Sequence, residues 1–138
     1  MLAHLRRRNT PFVRQQPSAY AGRLMEACRR AEPSRVVDTL LCCSLIEARS
    51  CERMQRLQGA LAELDHEGDP RSDPALTELY ASLLASEARH HATYVDLART
   101  LGVVDEAGLR ARLHELAMHE AEIVAEAPFT PRLHSGPV

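Results

Sequence analysis

Leu76, Tyr80, Leu83, Glu87, His90, Tyr94, Leu97 and Leu101 follow one another in steps of three and four. That spacing marks one face of a helix. Asp73 and Pro74 supply a cap and a first turn, so a helix is predicted from Pro74 to about Thr100, closed by Gly102. A second stripe, Leu40, Cys43, Ser44, Glu47, Cys51 and Met54, predicts a helix from Ser34 to about Gln58, stopped at Gly59. The stretch between them, "DHEGDPRSDP", is rich in Gly, Pro and Asp and is predicted to be a loop. Shorter helices are expected on either side. One ends over residues 1–8, before Thr10-Pro11. Another is capped by Ser18 and runs to about Arg30, and a third is capped by Asp105 and runs to about Ala125. Only helical signals are strong, and helices with such faces pack as a bundle.

Both long stripes carry polar groups where apolar ones belong. Glu47 sits at the centre of the first, and Glu87 and His90 sit in the middle of the second, which is expected to be buried. His91 lies at the edge of that second stripe, while Arg49, Glu52 and Arg53 fall off the first and can pair near the surface. An unpaired carboxylate in a core costs several kcal/mol, so the two glutamates need an answer. One answer is a hydrogen-bonded core network in which Glu47 or Glu87 meets an arginine. The other is a metal. A Glu from one helix with a Glu-x-x-His pair from its neighbour is half of a carboxylate-bridged di-iron site. The spacing of three puts both ligands on one side of a turn. Carboxylates bridge and offset two cations, and imidazole completes each iron.

The rest of the composition narrows the picture by exclusion. The chain has 138 residues, 45% hydrophobic and 26% charged, which suits one globular domain. A net charge of −2 offers no general case for nucleic-acid binding. The clusters Arg6-Arg7-Arg8 and Arg29-Arg30 are expected to be solvated helix ends, with phosphate contact as the weaker alternative. No apolar run suggests a membrane span and no start resembles a signal peptide. Cys28, Cys42, Cys43 and Cys51 form no C-x-x-C pair and are expected to be reduced thiols packed as small core residues. With three tyrosines, two phenylalanines and no tryptophan, the core falls to Leu, Val, Ala and Met.

At the two polar stripes the sequence resembles a known family. "LIEARSCERMQRL" (45–57) and "LYASLLASEARHHATYVDLA" (79–98) are similar to the tRNA 2-methylthio-isopentenyl-adenosine hydroxylases, MiaE, with "SAYAGRL" and "VVDTLL" in keeping. The likeness spans roughly residues 1–100. It implies an all-α, ferritin-like helical bundle over residues 1–127, with 128–138 expected to be a disordered tail. It implies a di-iron monooxygenase that uses O2 and an electron donor to hydroxylate the isopentenyl chain of a modified adenosine in tRNA, in the cytoplasm. Carried over by motif, Glu47 is the carboxylate of "IEARSCER", and Glu87 and His90 are the iron ligands of "SEARH". No other catalytic residue is assigned. Tyr94, one turn beyond His90, is expected to be a core tyrosine, with a radical-prone role as the alternative.

The family pattern also includes an earlier Glu and an earlier Glu-x-x-His, which this sequence lacks. His4 cannot replace that pair, because the position three before it is Met1. The expectation is therefore a bundle incomplete at its N-terminus and holding half of an iron site, from a truncated or mis-started chain. Two copies would supply the full ligand set, so a homodimer is one expected form. Binding of tRNA by this chain alone is expected to be weak and confined to local arginines such as Arg6 to Arg8. The alternative function is a non-catalytic helical remnant that serves as an interaction or dimerisation module.

Overall fold

A computed structural model describes residues 2–14 and 16–128, and of Ala88 the backbone alone. All regular structure in it is helical: α1 (Leu2–Arg7), α2 (Tyr20–Glu26), α3 (Ser34–Glu67), α4 (Pro74–Thr100) and α5 (Glu106–Glu126). Of the predicted tail, residues 129–138 lie outside the described residues.

The caps of the two later helices form as expected. The Asp73 carboxylate accepts from the Leu76 amide, and that of Asp105 accepts from the Gly108 amide. Two expectations fail. α3 does not stop at Gly59 but runs on to Glu67 and ends at Gly68, whose φ of 66° is the left-handed value that favours glycine. Residues 60–67, "ALAELDHE", are mostly good helix formers, so one glycine does not break the run. The predicted loop therefore shrinks to a few residues. It is organised by Asp65, whose carboxylate accepts from Ser72 Oγ (2.6 Å), the Asp73 amide (3.0 Å) and Thr77 Oγ1 (2.6 Å). α2 is likewise shorter than expected. Ser18 Oγ accepts from the Tyr20 amide at 3.2 Å, but the helix closes at Glu26.

α3 and α4 form a long antiparallel hairpin, and α2 and α5 pack on one end of it. The core lies at that end: Tyr20 and Leu24 from α2, Val37, Leu41, Cys42 and Leu45 from α3, Ala98 from α4, and Leu109, Leu116 and Ile123 from α5. The face of α4 turned toward α3 is one residue out of phase with the predicted stripe. Thr77, Leu84, His91 and Ala98, seven apart, line it. Thr77 bonds to Asp65 and His91 to Ser44, Leu84 is half-buried, and Ala98 is buried. Leu97 and Leu101, expected in the core, are exposed. α1 is tied to the start of α4 through Asp73, which pairs with Arg7 at 2.6 Å and Arg8 at 2.7 Å. Two of the arginines expected to be solvated thus have a partner.

The packed end also holds two buried carboxylates. Asp38 is wholly buried and accepts from the Arg29 amide and guanidinium and from Arg112. Burial alone would raise its carboxyl, but the hydrogen bonds from Arg29 and Arg112 override that and hold it well below the usual carboxylate range. Glu120 accepts from Tyr20 Oη at 2.6 Å and from Arg49 Nε at 3.0 Å. Arg49, expected to pair near the surface, instead spans from this buried acid to Glu52.

Candidate metal centre

The middle of the hairpin carries the polar residues singled out above, with Glu47 two residues from Arg49, which reaches Glu120 of α5. Glu47 projects from α3 and Glu87 and His90 from α4. One potential ligand atom from each lies within 4.8 Å of the others. His90 Nδ1 is 3.1 Å from Glu87 Oε2, across one helical turn. Because the interface of α4 is centred on Leu84 and His91, Glu87 sits at its flank, with a side chain 21% exposed. His90 sits at the outer edge, 52% exposed, and not in the middle of a buried stripe as expected. The cluster is therefore closed on the α3 side and open on the other.

The electrostatics of the cluster differ from those at Asp38 and Glu120. Hydrogen bonding to Glu87 and burial raise the Glu47 carboxyl to about 7, while His90 opposes the rise. The same hydrogen bond, with help from His90, lowers Glu87. Near neutrality the two carboxylates share a proton, because two such charges this close cannot both stay ionised cheaply. The groups acting on Glu47 are an acid and an imidazole, not the arginine that a closed core network would use. A divalent cation can take the place of the shared proton and answer both charges at once. Two carboxylates and an imidazole are a donor set that fits iron.

Residues beside the cluster fix its shape. Cys43 and Cys51 stand one turn before and after Glu47 on α3. Burial, with Glu47 nearby, raises the Cys43 thiol; burial, with Glu87 and Glu47, raises that of Cys51. Both are half-buried, so they line the site more than they fill a core. His91 is the residue whose role the sequence left unread. Its Nδ1 lies 2.9 Å from both the hydroxyl and the carbonyl of the buried Ser44. That contact pins α4 to α3 one turn after Glu87. The sequence signal was the His90-His91 doublet, with His91 four residues after Glu87 and so facing the partner helix. Tyr94 is half-buried one turn beyond His90.

The chain matches the family described as tRNA-(MS[2]IO[6]A)-hydroxylase (MiaE) over residues 1–135. It is 38% identical over 129 residues to the tRNA 2-(methylsulfanyl)-N(6)-isopentenyladenosine(37) hydroxylase of Salmonella typhimurium, covering 94% of this chain and 43% of that protein. It is 35% identical over 136 residues to the protein of the same name from Pseudomonas putida, covering 99% of this chain and 60% of the relative. The chain thus spans about half the length of the curated relatives it matches. Among solved structures, "Protein 43 with aldehyde deformylating oxygenase activity from Synechococcus" superposes with a TM-score of 0.80 at 34% identity. The match covers 99% of this chain and 64% of that one. The fold is accordingly all-α and ferritin-like. With the family pattern present along nearly all of its length, the chain belongs to the MiaE family.

Proposed function

We propose that this chain forms part of an iron-dependent tRNA hydroxylase, with Glu47, Glu87 and His90 as iron ligands. The observation that carries the reading is the convergence of two carboxylates and one imidazole, within 4.8 Å of one another, between two helices. The substrate is the isopentenyl group of 2-methylthio-isopentenyl-adenosine in tRNA, a reading supported by the names of the relatives. Iron bound there would supply activation of O2 and insertion of one oxygen atom into a C–H bond, with electrons from an external donor.

The residues of the chain do the remaining work. Glu47 gives up the proton it shares with Glu87 when a cation enters. Glu87 and His90 offer an oxygen and a nitrogen from one turn of α4. His91, fastened to Ser44, keeps that turn against α3. Cys43 and Cys51 narrow the access of water on the α3 side. A ferritin-like di-iron site takes two sets of one Glu plus one Glu-x-x-His, and the three residues here make up one set. The second set would come from another segment of a longer protein or from a second copy of this chain.

The test is anaerobic titration with ferrous iron, followed by equilibrium dialysis and near-ultraviolet absorption. Glu47→Gln, Glu87→Gln and His90→Ala should each weaken iron binding at least tenfold, an effect on the order of that for disturbing a metal site. Iron bound equally well by all three variants would refute the assignment. A hydroxylase assay on tRNA carrying the modified adenosine tests the substrate separately.

A further inference from the structure

A pair of thiols lies where α2 meets α3, with Cys42 five residues before Glu47 on the same helix. Cys28 follows the end of α2, and Cys42 lies on α3 beneath it. Their sulfurs are 3.6 Å apart. Cys42 is wholly buried, and its thiol donates to the Leu24 carbonyl at 3.8 Å. Cys28 is half-buried and lines an open groove of about 650 Å³, together with Arg29, Arg30 and Arg35. One thiol is therefore reachable from solvent, and the other waits directly behind it.

We propose that Cys28 and Cys42 form a redox-active dithiol, which hydroperoxides close reversibly to an intramolecular disulfide between α2 and α3. Cys28, the accessible sulfur, reacts first. Its thiolate attacks one oxygen of hydrogen peroxide; an S–O bond forms, the O–O bond breaks, and the leaving hydroxide takes a proton to become water. Cys42 Sγ then attacks the sulfenic sulfur. The S–S bond forms, the S–O bond breaks, and a second water leaves with the Cys42 proton. Two thiols lose two electrons and two protons, and the peroxide is reduced to two waters.

The order of attack follows from the geometry. Burial, with Cys28 beside it, pushes the Cys42 thiol up, so Cys42 stays protonated and out of contact with oxidant until Cys28 presents a sulfur to it. The sulfurs need only move together from 3.6 Å to about 2.05 Å. Cys43, adjacent in sequence, is influenced by both Glu47 and Cys28, but it is the Cys42 sulfur that lies against that of Cys28, at 3.6 Å. The bond would fasten the end of α2, next to the Arg29–Asp38 contact, to the helix that carries Glu47.

The experiment uses the full chain with a chelator present to keep free iron out of the reaction. Protein is exposed to a small molar excess of hydrogen peroxide. Free thiols are then counted in denaturant, and tryptic peptides are identified by mass spectrometry without reduction. The expected result is loss of two of the four thiols together and a disulfide-linked pair of peptides, residues 24–29 joined to residues 36–49. Dithiothreitol should restore all four thiols. The linked pair should persist in Cys43→Ser and vanish in Cys28→Ser and Cys42→Ala. If Cys42→Ala fails to fold, the Cys28→Ser and Cys43→Ser proteins still decide. Loss of the link in Cys43→Ser would overturn the assignment. So would four thiols still titratable after treatment, Cys28 recovered as a sulfinic acid with Cys42 still free, or a disulfide between two chains.

Discussion

Two sites along the α3–α4 hairpin treat acid in opposite ways. At the packed end, Asp38 and Glu120 are each met by guanidinium groups, and every oxygen has a donor. At the candidate metal centre, Glu47 and Glu87 are met by each other and by a histidine. The first arrangement is complete without any further group. The second sets a raised Glu47 carboxyl beside a lowered Glu87. The difference separates acids answered by arginine within the fold from acids answered only by each other and an imidazole.

The sharpest way to break this contrast is to remove an arginine from the packed end. Arg112→Met leaves Asp38 buried with Arg29 alone and frees the Ala27 carbonyl that Arg112 also holds. Taking one partner from a buried charge costs about 3–5 kcal/mol. Urea denaturation followed by circular dichroism should show a loss of that size. A loss below about 1 kcal/mol, as for a surface pair, would mean that Arg29 alone suffices.

The same carboxylate contributes to the acid sensitivity of the fold. The folded-state value of Asp38 is depressed below that of the unfolded chain, so its contribution is present above about pH 4 and is lost as pH falls toward the lower folded value. Between about pH 5 and pH 2 the protein should lose about 2–3 kcal/mol more than Asp38→Asn does. Parallel curves for the two proteins would remove Asp38 from the acid transition.

The candidate metal centre should respond in the contrary sense. Near neutral pH, Glu47 already carries a proton for much of the time, so glutamine resembles the form that the metal-free protein holds. Glu47→Gln should therefore change stability by about 1 kcal/mol or less in the presence of a chelator, while weakening iron binding. A large destabilisation without metal would make Glu47 a structural acid like Asp38.

How far the sequence could be read follows the same division. The helix from Pro74 to Thr100 and the Asp105 cap were legible because their signals are local: a cap, a spacing and a closing glycine. The convergence of Glu47, Glu87 and His90 was legible because Glu-x-x-His sits within one turn and because the surrounding motifs resemble a family. The arginine networks were not. Arg112 meets Asp38 across 74 positions and Arg49 meets Glu120 across 71, and no spacing rule reaches that far. Periodicity puts the α4 stripe one residue out, because leucine signals burial more strongly than alanine or threonine. Small residues let α4 approach α3 closely, so Ala98 went inside while Leu97 stayed out.

Gly59 was misread in the same local way, and it supports the smallest prediction. In an isolated pattern a glycine ends a helix, but here it lies within α3, and a Cβ placed on it meets nothing within 4 Å. Gly59→Ala should therefore stabilise the protein by about 0.5–1 kcal/mol, through backbone entropy alone. Gly68, at the end of the same helix, has as much space around it but a φ of 66°. Gly68→Ala should destabilise by about 1 kcal/mol, since the left-handed conformation is strained for alanine. The opposite signs follow from backbone conformation, because neither site has a clash. They also report on the open arm of the hairpin. If both changes shift the global urea midpoint, the arm unfolds together with the packed end. If only amide exchange within residues 55–72 changes, the arm opens by itself, and the candidate metal centre lies beside a part of the fold that frays independently.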